Sequence, residues 1–176
     1  MKHKYLKWGL IGACLILIAS LLIYHLFRDT LAIKQLNSHL QVDDITLWKN
    51  QAEAKKRLGY GKRVPTKSLG QVLQYDHLDL QIYYEDSRVA GILTENPNHS
   101  VYGIHVGSTA ADARLTLEEH RFRLLSDNQL NYDNGNTVVS YTIADGNIIV
   151  SYEISDEYVS KLHVQYFNPN NKNKIP

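Results

Sequence analysis

The chain has 176 residues, 21% of them charged, and a formal net charge of +1. This near balance excludes the strongly basic surface on which nucleic-acid binding depends, so no nucleic-acid partner is expected. The single cysteine, Cys14, excludes an intramolecular disulfide, so packing must stabilise the fold.

An apolar segment without a formal charge occupies residues 8–27. About 20 such residues, in a helix, are long enough to cross the hydrocarbon core of a bilayer. Three lysines precede it within residues 1–7, whereas Arg28 and Asp29 nearly cancel behind it. The positive-inside rule therefore predicts a single-pass anchor with a cytoplasmic N-terminus and an exterior C-terminal part.

Two other interpretations of this segment stay open. A cleaved signal peptide would end in small residues, and no such site follows Phe27. Residues 11–14 read Ile-Gly-Ala-Cys, which is similar to a bacterial lipoprotein cleavage box and makes lipidation of Cys14 the better alternative. The apolar stretch before Cys14 is short for that purpose, so an uncleaved membrane anchor is favoured.

Residues 30–42 follow the apolar segment. Leu31, Ile33, Leu36 and Leu40 are spaced roughly as on one face of a helix, so the spanning helix is predicted to continue into a juxtamembrane stalk. A plain linker is the alternative.

Two stretches of the remaining chain repeat one pattern 59 positions apart. The matching apolar pairs are Ile45 and Ile104, Leu47 and Val106, Ala52 and Ala111, Ala54 and Ala113, and Leu58 and Leu117. In both stretches a short polar residue, Asn50 or Thr109, stands three positions before a carboxylate, as at a helix N-cap. Two helices are predicted, the first ending before Gly59 and the second running to about Phe122.

After each predicted helix the apolar residues alternate as in β-strands. The expected strands are 71–75, 78–84 and 88–93 in the first stretch, and 129–132, 137–144, 147–154 and 158–167 in the second. Asn134-Gly135 and Asp145-Gly146 are typical of tight hairpins. The strands at 89–92 and 159–162 match at a spacing of 70, so about 11 residues are added in the second stretch.

These patterns predict an α+β protein in which an N-terminal transmembrane helix precedes two tandem helix-plus-antiparallel-sheet repeats. The predicted divisions are the cytoplasmic N-terminus and anchor (1–29), the stalk (30–42), repeat unit 1 (43–101), repeat unit 2 (102–167) and a disordered tail (168–176).

The motif Gly-Ile-x-Val-Gly-x-Thr at residues 103–109, followed by a helix, resembles the exported repeats of the SmpA/OmlA (outer-membrane assembly lipoprotein) type and of the β-lactamase inhibitory protein. The helix-plus-meander unit is similar also to the tandem domain that precedes the CAP (cysteine-rich secretory protein) domain in some Gram-positive extracellular proteins. The likeness covers about residues 43–167. Trp48 and Lys49 replace the Gly-Ser of the second stretch, so the first turn must form without glycine. The resemblance implies non-enzymatic, protein-binding domains and assigns no contact residue.

No catalytic, metal or cofactor site is predicted. The histidines considered as metal ligands show neither the i, i+4 helical pair of a zincin nor a cysteine partner, and are taken as surface or strand-end residues: His77, His99, His105, His120 and His163. Ser68, Ser87 and Ser126 lie in no nucleophile motif. Residues 59–62 fit a helix cap and turn better than a phosphate loop.

The composition includes 12 tyrosines against 3 phenylalanines. Rigid aromatic side chains on an exposed sheet make good anchors for a protein ligand, although aromatic pairs are also common in sheet cores. The candidate partner-binding residues lie on or beside predicted strands: Tyr75, Tyr84, Tyr132, Tyr141, Tyr152, Tyr158 and Tyr166.

The sequence thus predicts a membrane-anchored, extracytoplasmic, non-catalytic protein- or peptide-binding module of the bacterial cell envelope. Binding of a small cell-wall or lipid ligand is the alternative, followed by inhibition of an exported hydrolase or a hydrolase without a local motif. The sequence names neither the partner nor the oligomeric state.

Overall fold

The computed structural model describes residues 16, 17, 19, 20, 24, 27–66, 70–130 and 135–167. Three helices lie in this part of the chain: α1 (27–38), α2 (Gln51–Leu58) and α3 (Ala110–Glu119). The strands are β1 (Leu40–Gln41), β2 (Lys62–Val64), β3 (Gln71–Tyr75), β4 (Leu80–Glu85), β5 (Arg88–Thr94), β6 (Ser100–Val101), β7 (Ile104–His105), β8 (Arg123–Leu130), β9 (Thr137–Ile143), β10 (Ile148–Ser155) and β11 (Tyr158–Tyr166).

The strands form a large sheet in the order β2-β3-β4-β5-β11-β10-β9-β8 and a small one in the order β1-β6-β7. Every paired strand is antiparallel to its neighbour, and β5 and β11 meet at the centre, where Ile92 lies opposite Val164. The predicted α+β class with antiparallel sheets is confirmed. The short strands β1, β2, β6 and β7 were not predicted.

Corresponding backbone hydrogen bonds tie each helix start to a hairpin in the two halves of the chain. The donors of corresponding bonds lie 59 positions apart, and the acceptors lie 70 positions apart. The amides of Trp48 and Gly107 donate to the carbonyls of Val89 and Val159, both at 2.8 Å. The amides of Gln51 and Ala110 donate to the carbonyls of Ser87 and Glu157, both at 2.9 Å. The backbone of Trp48 takes φ 68° where Gly107 takes 96°, so a tryptophan adopts the left-handed conformation that glycine favours.

The caps of α2 and α3 follow the sequence. Asn50 accepts from the amide of Ala52 at 2.8 Å, and Thr109 accepts from that of Asp112 at 3.1 Å. Gly59 ends α2 with φ 82°. The helix α3 ends at Glu119, a few residues short of the predicted Phe122.

The core lies on the face of the large sheet that α2 and α3 cover. Ala54 of α2 and Leu117 of α3 are fully buried there against the sheet. The helix α1 belongs to the same core, because Ile33 and Leu36 are buried in it. The side chain of Asn37 also bonds both the amide and the carbonyl of Leu47, at 2.9 and 3.0 Å.

Ile33, Leu36 and Leu40 of the predicted stalk at residues 30–42 are buried in the folded body, whereas Leu31 is 60% exposed, and the division of the chain at residue 42 stays a prediction. Most of the predicted anchor at residues 8–27, and the whole predicted tail at 168–176, lie outside the described residues. Among those that are described, no helix combines the length and the apolar character that crossing a membrane requires.

Candidate functional site

Four of the candidate tyrosines lie in the core: Tyr75, Tyr84, Tyr141 and Tyr152 are each 2% exposed or less. The hydroxyls of Tyr75 and Tyr84 are 3.4 Å apart, and the rings of Tyr141 and Tyr152 stack at 6.3 Å. Burial raises the pKa of Tyr84 and of Tyr152. A partner cannot reach these rings, so the predicted binding role does not hold for them.

The other three candidates differ in their surroundings. Tyr158 is 53% exposed at the start of β11. Tyr166 is half-buried, with its ring edge-on to Trp48 at a centroid distance of 5.2 Å. Tyr132 lies outside the described residues. A binding role for Tyr158 and Tyr166 stays a prediction.

The opposite face of the large sheet, termed the open face, carries the side chains that alternate with the core positions. On β4 and β5, Gln81 lies opposite Leu93, and Tyr83 lies opposite Gly91. None of these residues belongs to the core cluster. Tyr83 and Leu93 are half-buried. These two pairs of β4 and β5 therefore carry no charge and include one aromatic and one aliphatic side chain, whereas Glu85 and Arg88 pair at the hairpin end of the same strands.

The two halves of the open face meet at Gly91, which is buried. Gly91 pairs with Tyr83 on one side and with Gln165 on the other. Its backbone is not left-handed, and an added Cβ would meet ordinary contacts of 3.4 Å or more. Nothing in the backbone therefore requires glycine at this position.

The corresponding positions on β10 and β11 carry charge. Glu153 lies opposite Lys161, and Ser151 lies opposite His163. Lys161 bonds Glu95 at 2.9 Å, and Glu153 accepts from Asn136 at 2.7 Å. Equivalent backbone positions thus carry Tyr83 and the buried Gly91 in one half, and Glu153, which is 6% exposed, and the half-buried Lys161 in the other.

His163 is the titratable group near the middle of the open face, where it lies opposite both Leu93 and Ser151. Burial lowers the pKa of its imidazole to about 4. The side chain is half-buried in the sheet. The residue is therefore neutral at pH 7 and able to give or accept one hydrogen bond at each nitrogen.

Ser151 and His163 do not form a nucleophile–base pair. The Ser151 hydroxyl bonds that of Ser140 at 2.8 Å, and the His163 ring makes no side-chain hydrogen bond within the described part of the chain. A serine nucleophile needs its hydroxyl within hydrogen-bond reach of the base.

A second histidine, His99, is buried between an acid and a hydroxyl. Its Nε2 lies 2.9 Å from Asp43 and its Nδ1 lies 2.7 Å from the Thr94 hydroxyl. An acid, a histidine and a hydroxyl in this order resemble a catalytic triad, but Thr94 is 1% exposed. Its hydroxyl also donates to the carbonyl of Asp79 and accepts from the amide of Asn96. The chain of bonds therefore fastens the segment before β6 to the loop at Asp43. His99 therefore lies at the end of a strand, as one of the two predicted alternatives has it, but it is buried and not on the surface.

A polar cavity of about 260 Å³ lies beside the start of α2. Its lining residues are Gln51, Arg63, Gly70, Gln71, Tyr84, Asp86 and Ser87. The side chains of Gln51 and Gln71 bond each other at 2.7 Å. Arg63 and Asp86 make no ion pair or hydrogen bond with the described residues, so both charges are available to a ligand.

Within residues 27–66, 70–130 and 135–167, no group of three or more His, Cys, Asp and Glu side chains is arranged to hold an ion. Sequence reasoning nevertheless missed one pairing, of His39 with His120, whose rings lie 5.4 Å apart although 81 positions separate them.

No protein-family model matches this sequence, and neither does any curated protein. Two solved structures match part of this chain. An extracellular protein containing an SCP domain from Bacillus anthracis matches with a TM-score of 0.50 and 7% identity over 68% of this chain. A DUF4309 family protein, YjgB, from Bacillus subtilis matches with a TM-score of 0.40 and 11% identity over 68% of this chain and 79% of its own.

The match spans only 44% of the Bacillus anthracis chain. It agrees, at the level of fold, with the resemblance to Gram-positive extracellular proteins that carry such a domain. Neither structure bears on the resemblance to the SmpA/OmlA type or to the β-lactamase inhibitory protein.

Proposed function

We propose that this chain is an extracytoplasmic, non-catalytic protein- or peptide-binding module of the bacterial cell envelope, anchored by residues 8–27 with its N-terminus in the cytoplasm. Its two repeat units, 43–101 and 102–167, combine their sheets into one binding surface. The partner meets the open face, and the tyrosines of the core stabilise the sheet from behind.

The observation that carries this proposal is the chemical difference between the halves of the open face. The half-buried side chains of Tyr83 and Leu93 suit an apolar segment of the partner, whereas those of Lys161 and His163 suit a polar or charged one. A ligand that lies across the central strands would meet both kinds of surface in a single direction. Such a surface favours one orientation of the ligand. A ligand bound in the opposite direction would place its polar part against the apolar half and so lose its interaction with the charged side chains.

Attachment close to the membrane is supported by the position of α1. Asp29, two residues after the apolar segment, accepts a hydrogen bond of 2.7 Å from the Asn147 side chain. Ile33 and Leu36, farther along the same helix, are buried in the core. The binding body would therefore follow the anchor without a free linker.

Photo-crosslinking in intact cells tests the proposal. A photoreactive amino acid replaces Tyr83 on the open face in one variant and Tyr60, which is 100% exposed, in the control. We expect a specific adduct from position 83 and none from position 60. Equal or stronger crosslinking at position 60 would show that exposure alone determines capture, and would contradict the proposal.

A second candidate function, binding of a small cell-wall or lipid fragment, is favoured by the polar cavity. Arg63 and Asp86 carry opposite, unpaired charges on its wall, which suits a ligand with both an anionic and a cationic group. A fragment of this kind that binds the cavity should raise the melting temperature of the protein. Above its Kd, the increase should grow with the logarithm of the fragment concentration. The shift should disappear in Arg63→Gln and persist in Arg57→Gln.

A further inference from the structure

Three rings from distant parts of the chain meet at one edge of the molecule. His39 follows α1, Tyr102 lies in the turn between β6 and β7, and His120 caps the end of α3. Ring centroids are 4.5 Å apart for His39 and Tyr102, 4.2 Å for Tyr102 and His120, and 5.4 Å for the two imidazoles. Each ring therefore contacts both of the others.

Both imidazoles have free nitrogen atoms. Neither His39 nor His120 makes a side-chain hydrogen bond with the part of the chain that the structure describes. His39 is exposed and His120 is half-buried, so ions in solution can reach them. A neutral imidazole with a free nitrogen is the commonest protein ligand for Zn²⁺ and related ions.

The spacing of the rings matches that of two ligands on one ion. A zinc ion about 2.1 Å from one nitrogen of each ring, at a tetrahedral angle, sets the ring centroids about 5 Å apart. The observed 5.4 Å is close to this value.

The local field also favours a cation. The helices α1 and α3 both end at this cluster, and the C-terminal end of a helix carries partial negative charge from its unpaired carbonyls. The charged neighbours of His120, Glu119 and Arg121, are opposite in sign and nearly cancel.

We infer that His39 and His120 form a binding site for one divalent transition-metal ion of the class that prefers imidazole nitrogen, with Zn²⁺ as its representative. Water molecules complete the coordination shell, since only two protein ligands are present. Tyr102 holds the two rings in place by packing between the segments that carry them. The bound ion joins the end of α1 to the end of α3, and so fastens the segment that follows the anchor to the second half of the chain.

Calorimetric titration of the full-length protein in nanodiscs with Zn²⁺, at neutral pH, tests this site. The variants are His39→Gln and His120→Gln, with His77→Gln and His105→Gln as controls at exposed histidines outside the cluster. We expect one ion per chain in the wild type and in both controls. Affinity should fall roughly tenfold or more in each cluster variant, because each removes one of two protein ligands.

Two further measurements separate ligation from folding. Without metal, His39→Gln should keep the wild-type melting temperature, because its side chain is exposed. With metal, the imidazole nitrogen NMR signals of His39 and His120 should shift together at equal zinc concentrations. Wild-type affinity in both cluster variants, or equal losses in the controls, would overturn the inference. So would zinc-dependent shifts at other histidines only.

Discussion

The backbone amide of Gly107 donates a hydrogen bond of 2.8 Å to the carbonyl oxygen of Val159, which fastens the start of α3 to the hairpin of β10 and β11. Gly107 holds φ 96° at this point. An alanine there would carry a Cβ in a conformation that costs about 1–2 kcal/mol.

We therefore expect Gly107→Ala to lower the free energy of unfolding by about 1–2 kcal/mol. Gly91→Ala is the matched control, because Gly91 is not left-handed and has ordinary contacts around its Cβ position. Its effect should lie within about 0.5 kcal/mol. Chemical denaturation of both variants is the measurement, and equal effects would contradict this account of the turn.

Leu36 and Leu31 test whether α1 belongs to the folded body. Leu36 is fully buried, whereas Leu31 is 60% exposed on the same helix. Leu36→Ala should cost about 2–5 kcal/mol, because it removes core contacts and leaves a cavity. Leu31→Ala should change the free energy of unfolding by less than about 0.5 kcal/mol. If urea unfolding finds the two variants alike, α1 is not part of the core.

His99 should stabilise the protein through its two hydrogen bonds. His99→Ala leaves the Thr94 hydroxyl without its histidine partner in a buried place, which costs about 1–3 kcal/mol. The exposed His77, which makes no side-chain hydrogen bond in the described chain, is the control, and His77→Ala should be nearly neutral. Thermal unfolding monitored by circular dichroism measures the melting temperatures of the two variants. Similar melting temperatures for His99→Ala and His77→Ala would contradict the stabilising role of His99.

His163 should make stability depend on pH. Burial lowers the pKa of its imidazole to about 4, whereas an unfolded chain has a histidine pKa of about 6.5. The unfolded state therefore binds the proton more readily. Stability is complete above about pH 6.5 and falls as the pH drops towards about 4.

The loss at about pH 5 is at most about 2 kcal/mol, and less where water reaches the half-buried ring. His163→Gln should remove this part of the pH dependence, while carboxylates titrate equally in both proteins. Urea unfolding at about pH 7.5 and about pH 5 provides the comparison. Identical losses in the variant and the wild type would mean that His163 titrates normally.

The helices were predictable because their signals are local. The caps at Asn50 and Thr109 and the glycine after Leu58 act within one helical turn of the backbone that they stabilise. The strands with alternating apolar residues were predictable for the same reason. Strand β2 has three residues, two of them basic, and offers no alternation to detect.

Which face of a strand is buried was not predictable, because alternation gives the period and not the direction. Tyr84 and Tyr83 are neighbours, yet only Tyr84 packs under the helices. Contacts between residues far apart in the sequence were not predictable either. The bond of His99 to Asp43 and the contact of His39 with His120 depend on the assembled fold, and no spacing in the sequence signals either of them.

The central claim is that the open face binds a partner, and the affinity of the crosslinked partner for two purified variants tests it most directly. Tyr83→Ala on the open face should raise Kd at least about tenfold, as at an aromatic hot spot, with little change in melting temperature. Tyr60→Ala, at a fully exposed tyrosine, should leave Kd unchanged. A wild-type Kd for Tyr83→Ala would contradict the claim, because the partner would then contact a different surface.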